Sequence, residues 1–164
     1  MKTVYIIRHA KSDWAEAGIH DIERPLAKRG LRDAPVMAAV LQKRGPAPEI
    51  MVTSPAIRAF TTCRIFCENL GYDTQNIVIQ PELYFGSITV IEKMLQAAFT
   101  ETDVVALFGH NPTFSELAAY FTPAFGGEMP TCAIVAIRFD DKNPAAPLQG
   151  NGKLLWFEYP KKNR

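Results

Sequence analysis

Two arginines and two histidines stand just beyond short apolar runs of this chain. Arg8 and His9 follow Thr3 to Ile7, Arg58 comes shortly after Ser54 and Pro55, and His110 with Asn111 follows Val104 to Phe108. Neutral imidazole is a good nucleophile near pH 7. Its attack on phosphorus gives a labile phosphohistidine that water can cleave, which splits one hard step into two. The transferring phosphoryl group spreads negative charge over its oxygens. Arg8 and Arg58 can meet that charge with bidentate forks and His110, if protonated, with a further donor, so no metal and no other cofactor is expected. A histidine between two arginines should have a lowered pKa in an empty pocket, which keeps His9 neutral, and bound phosphate should pull His110 the other way.

Each residue alone has a plainer reading. An Arg-His pair after a strand is commonly a solvated strand end, and an arginine in a helix's first turn opposes the helix dipole. Arg58 there calls for a negative partner, which a bound phosphate would be. Glu82, in Gln80-Pro81-Glu82-Leu83-Tyr84, is a candidate general acid and Asp13 a second, yet either reads equally well as an exposed loop carboxylate. Asn111 is a candidate substrate contact. His20, between Ile19 and Asp21 in a polar loop with Glu23, reads as a surface residue. A zinc site built on His9, His20 and His110 lacks clustered carboxylate or thiolate ligands at metal spacing. Cys63, Cys67 and Cys132 read as reduced core residues.

The elements that must position these groups follow from hydrophobic patterning. Thr3 to Ile7, Ile50 to Thr53, Ile77 to Ile79 and Val104 to Phe108 are strand-like, with helical patterns between most of them. That alternation predicts an α/β fold, a three-layer α/β/α sandwich with a mostly parallel central sheet whose carboxyl edge holds the ligand. Ser54 can N-cap a helix with Pro55 at its first position, Ala59, Cys63, Phe66, Cys67 and Leu70 inward, and Gly71 at its end. A helix should start near Ser87, and another at Thr113, where Thr113 and Glu116 have capping-box spacing. In the first helix Leu31, Ala34, Ala38 and Leu41 share a face, but Gly30 and Pro35 interrupt it, which predicts a kink or a start at Asp33. Ala133 to Phe139 and Leu154 to Tyr159 read as a closing hairpin or neighbouring strands.

The 164 residues fit a single domain over 1–160, with 161–164 as a frayed polar tail. Eighteen basic and seventeen acidic residues give a formal charge of +1, so no nucleic-acid partner is expected and any anion site must be local. The first apolar run is too short for a signal peptide or a membrane span, so a cytoplasmic home without membrane attachment is expected.

The stretches Arg8-His9-Ala10-Lys11-Ser12-Asp13-Trp14, Arg24-Pro25-Leu26, Ser54-Pro55-Ala56-Ile57-Arg58-Ala59 and Gly109-His110-Asn111-Pro112 resemble the successive motifs of the histidine phosphatase superfamily. Within it they are most similar to the small SixA-type phosphohistidine phosphatases. The resemblance implies a phosphoglycerate mutase-like fold, His9 as nucleophile, and Arg8, Arg58 and His110 as the phosphate pocket. It places a catalytic glutamate near Glu82, although aligning Leu83 with the leucine that precedes that glutamate moves the acid position to Phe85. Ala10 stands where the wider superfamily commonly has glycine, a change shared by the SixA-like group. Ala27 replaces the threonine or serine that opens the first helix in many members, removing a cap worth about 1 kcal/mol. The expected activity is metal-independent dephosphorylation, with a phosphohistidine-bearing protein as substrate. The alternatives are a small-metabolite phosphomonoesterase or mutase, and a phosphoryl-binding module without turnover.

Overall fold

The computed structural model describes residues 1–140 and 146–164. Its strands are β1 (Lys2–Arg8), β2 (Ile50–Thr53), β3 (Val78–Ile79), β4 (Val104–Gly109), β5 (Ile134–Phe139) and β6 (Lys153–Glu158), and its main helices are α1 (Lys28–Arg44), α2 (Ile57–Leu70), α3 (Ile88–Ala98) and α4 (Thr113–Phe121). The strands lie in the order β3-β2-β4-β1-β5-β6. Helices return the chain between the first four, so β3-β2, β2-β4 and β4-β1 pair in parallel. The sheet is nevertheless mixed rather than mostly parallel. After α4 the chain enters β5 from the carboxyl end of β1, so β1-β5 is antiparallel, and β6 pairs antiparallel with β5 in its turn.

Alternation along β1 accounts for the three layers, because successive side chains of a strand face opposite ways. Val4 and Ile6 pack with Ile91 and Leu95 of α3 and Phe114, Leu117 and Phe121 of α4. Tyr5 and Ile7 face Met37, Ala38 and Leu41 of α1 and Cys63, Phe66 and Cys67 of α2. The cysteines are buried free thiols, as expected of core residues.

Helix α4 begins at Thr113 as expected, but its capping residue and the start of α2 differ from the sequence reading. Ala56, not Ser54, precedes the first turn of α2 and offers no side-chain cap, because the Ser54 hydroxyl is engaged elsewhere. Pro112 precedes α4, and the Asn111 carbonyl oxygen Oδ1 takes the Ser115 N–H, a role the Thr113–Glu116 spacing had suggested for Thr113. Helix α1 begins at Lys28 and runs through Pro35, with Asp33 buried inside it and Leu31 exposed. The starts of α3 at Ser87, whose hydroxyl accepts from Val90 N–H, and the left-handed end of α2 at Gly71 (φ +75°) agree with the sequence. The polar tail is tied down rather than frayed. Pro160–Lys162 form a short 3-10 turn, Asn163 Nδ2 donates to Glu158, and Arg164 Nη2 lies 3.0 Å from the buried carboxylate of Asp33.

Candidate active site

Parallel pairing of β1 and β4 sets Arg8 opposite Gly109. The next residue of each chain segment is therefore a histidine beside a histidine, and the rings of His9 and His110 lie with centroids 5.2 Å apart, both buried. His9 is held from several sides. Its N–H donates to Gly109 O (3.0 Å), its carbonyl accepts from Cys132 N–H (3.0 Å), and its ring Nδ1 lies 2.7 Å from the carbonyl oxygen of Ala10. A carbonyl can only accept, so Nδ1 carries the proton and Nε2 keeps the lone pair. Thr62 locks the following turn to α2: its Oγ1 accepts from Ala10 N–H at 3.0 Å and donates to Arg58 O at 2.7 Å.

Both arginines are anchored with donors to spare. Arg8 Nη1 donates to Met129 O (2.9 Å), while its Nε is buried without a partner. Arg58 Nη1 donates to Asp21 O (2.6 Å) and Nη2 to Asp21 Oδ2 (2.9 Å), an oxygen that also accepts from the Tyr84 hydroxyl (2.7 Å). Asp21 is thus the negative partner that a first-turn arginine requires. Sequence reasoning named the need but assigned it to phosphate alone, and passed over Asp21 as part of a polar loop. His110 Nε2 lies 2.8 Å from Ser54 Oγ, and its Nδ1 is buried without a partner. Tyr84 and Phe85 pack on His110, with ring centroids 5.5 and 5.0 Å away.

The other sequence candidates lie differently. Asn111 is committed at both ends, its Oδ1 to the N–H and hydroxyl of Ser115 and its Nδ2 to Met129 O, the same carbonyl that holds Arg8. Glu82 is exposed and accepts from Gln80 Nε2, and Asp13 Oδ1 accepts from Ala15 N–H. Among the described residues no hydrogen bond or ring contact joins Glu82 or Asp13 to either histidine. His20 is exposed, as expected. No group of three or more His, Cys, Asp or Glu among the described residues is placed to hold a metal ion, and no described helix is long and apolar enough to cross a membrane.

Burial sets the charge state of the site. It pushes the His9 pKa down to about 4, opposed by the Ala10 carbonyl and aided by Arg58 and Arg8. The same desolvation, with His9 and Arg58 adding to it, pushes His110 down to about 3. The sequence argument had the direction for His9 right but credited the arginines with what is chiefly burial. The Tyr84 hydrogen bond and Arg58 hold Asp21 below the usual carboxylate range. An empty pocket at neutral pH thus holds two uncharged imidazoles between two guanidinium groups.

The sequence profile of the histidine phosphatase superfamily (branch 1) matches residues 4–102. The chain belongs to that superfamily. As a histidine phosphatase it is a phosphatase, and its fold is the SixA-like, phosphoglycerate mutase-like one. An uncharacterised protein of Mycobacterium tuberculosis is 34% identical over 142 residues, covering 85% of this chain and 82% of that one. The phosphohistidine phosphatase SixA of Escherichia coli is 28% identical over 162 residues, covering 96% and 93%. A structure of the protein histidine phosphatase SixA complexed with tungstate superposes with a TM-score of 0.83 at 27% identity, over 99% of both chains. The profile spans Arg8, His9 and Arg58 of this histidine phosphatase but ends before His110, which joins them through the β1-β4 pairing.

Proposed function

We propose that the protein dephosphorylates phosphohistidine in another protein, through a phosphoryl group carried on His9 Nε2. The observation that carries this reading is the hydrogen bond from His9 Nδ1 to the Ala10 carbonyl, which leaves the Nε2 lone pair free in a site where two buried nitrogens, Arg8 Nε and His110 Nδ1, lack partners. Unpaired buried polar atoms are costly, and an oxyanion would satisfy Arg8 Nε and, with the ring proton on that nitrogen, His110 Nδ1 as well. In the first step the lone pair of Nε2 bonds to phosphorus as the bond to the leaving nitrogen breaks, and that nitrogen takes a proton from water. Arg8, Arg58 and His110 donate to the oxygens on which charge collects. In the second step water attacks the phosphohistidine, loses a proton and releases inorganic phosphate, and His9 is restored neutral.

The substrate class follows from the acid. A phosphoramidate nitrogen takes its proton readily near neutral pH, whereas an alkoxide leaving a phosphomonoester needs a placed acid. Tyr84 and Phe85 cover His110, and Glu82 faces Gln80 instead. The named activity of the Escherichia coli relative supports the same choice. Turnover of a 32P-labelled phosphohistidine protein, with chelator present, tests the reading: a label on the enzyme that survives alkaline quench and is lost in acid is expected. Label that survives acid and maps to Ser12 or Ser54 would overturn it.

A further inference from the structure

We propose that Ser54 is a positioning residue that fixes His110 as an uncharged imidazole with its proton on Nδ1, so that His110 meets the phosphoryl group as a neutral donor. The inference rests on the phosphoryl pocket proposed above, but the hydrogen-bond inventory that supports it does not. Ser54 is fully buried at the end of β2. Its Oγ accepts from Ala56 N–H at 3.2 Å, and its other hydrogen-bond contact among the described residues is His110 Nε2 at 2.8 Å. A backbone N–H can only donate, so the serine's own proton needs an acceptor, and His110 Nε2 is the one within reach.

The alternatives leave a polar atom stranded. If Nε2–H donated to Ser54, the oxygen would accept twice, the hydroxyl proton would have no acceptor, and Nδ1 would turn a lone pair toward an anion. A doubly protonated ring strands the same hydroxyl proton. It also adds a third cation to a buried site that already holds Arg8, offset by Glu128, and Arg58, offset by Asp21. In the remaining arrangement Ser54 donates to Nε2, and the unpartnered Nδ1 is an N–H whose missing acceptor is a phosphoryl oxygen. The ring's two nitrogens then have separate duties. Nε2 is bound to the scaffold and Nδ1 is offered to the ligand.

Nitrogen-15 NMR of histidine-labelled protein reads this directly, since a protonated and an unprotonated ring nitrogen give distinct signals, and loss of a signal in His110→Asn assigns it. The expected wild-type pattern is protonated Nδ1 and unprotonated Nε2 for His110 between pH 5 and 8. Ser54→Thr should keep that pattern and most activity. Ser54→Ala should move His110 toward the other tautomer and lower kcat/KM about tenfold. An unprotonated Nδ1 in the wild type, or an unchanged His110 pattern in Ser54→Ala, would overturn the proposal. The wild-type spectrum decides even if the alanine variant fails to fold. Added tungstate should shift the Nδ1 signal; if no histidine signal moves, the phosphoryl pocket is misassigned while the tautomer result stands on its own.

Discussion

The proposed nucleophile needs an unprotonated Nε2, and at His9 burial keeps the ring uncharged while the Ala10 carbonyl, though it opposes that shift, holds the one remaining proton on Nδ1. His9→Ala should therefore lower kcat by at least about a thousandfold, or about 4 kcal/mol in barrier, because no neighbouring group can replace a covalent step. Tungstate binding should persist, since in the proposed pocket Arg8, Arg58 and His110 supply most of the oxyanion contacts; turnover rates and an equilibrium tungstate titration of the variant check the two halves of the claim. Glu82→Gln should leave hydrolysis of phosphohistidine within about threefold of wild type, given that its carboxylate faces Gln80. A much larger loss in side-by-side rates would return Glu82 to the site as the acid. The four central residues were legible because each follows an apolar run. Asp21 and Ser54 were not, because what defines them is a partner 37 or 56 residues away, and local spacing holds no record of that.

At the scale of elements the sequence located the strands and the starts of α3 and α4, but not the start of α2 or the residue that caps α4. The limits of β1, β2, β4 and β5 follow local runs of buried residues, whereas Ser54, eligible to cap α2, is spent on His110, and at α4 the Ser115 N–H is taken by Asn111 rather than by Thr113. Helix α1 shows the same priority of packing over local preference. It starts after Ala27 without a side-chain cap, and Gly30 lets it lie against the loop after His9: a Cβ there would sit 2.3 Å from the carbonyl oxygen of Lys11. Gly30→Ala should consequently destabilise the fold by about 1–3 kcal/mol and displace that loop. Thermal unfolding should show a loss of roughly 2–4 °C per kcal/mol, accompanied by a fall in kcat. An alanine variant as stable as wild type would mean that Lys11 yields freely.

For the whole molecule, the two buried histidines tie stability to pH. Their folded pKa values of about 4 and about 3 lie below the unfolded value near 6.5, so between these limits the unfolded chain binds more protons than the folded one. Their contribution is complete above about pH 6.5 and is lost as pH falls toward 4 and 3. Urea midpoints measured from pH 8 to 4 should decline, and the decline should shrink in the double variant His9→Asn, His110→Asn. The three-layer architecture and the closing β5-β6 hairpin were readable from the sequence, but the antiparallel pairing of β5 with β1 was not, since its direction depends on the path of the chain after α4. That path has a consequence for synthesis. Strand β1 sits between β4 and β5, pairing Thr3 with Val104 and Lys2 with Phe139. Strand β1 must wait for about 100 further residues to be synthesised before either neighbour exists, and such long-range pairing is slow and exposed to aggregation. A nascent chain therefore carries Arg8 and His9 as bare sequence, and the pocket comes into being only when the sheet closes around them.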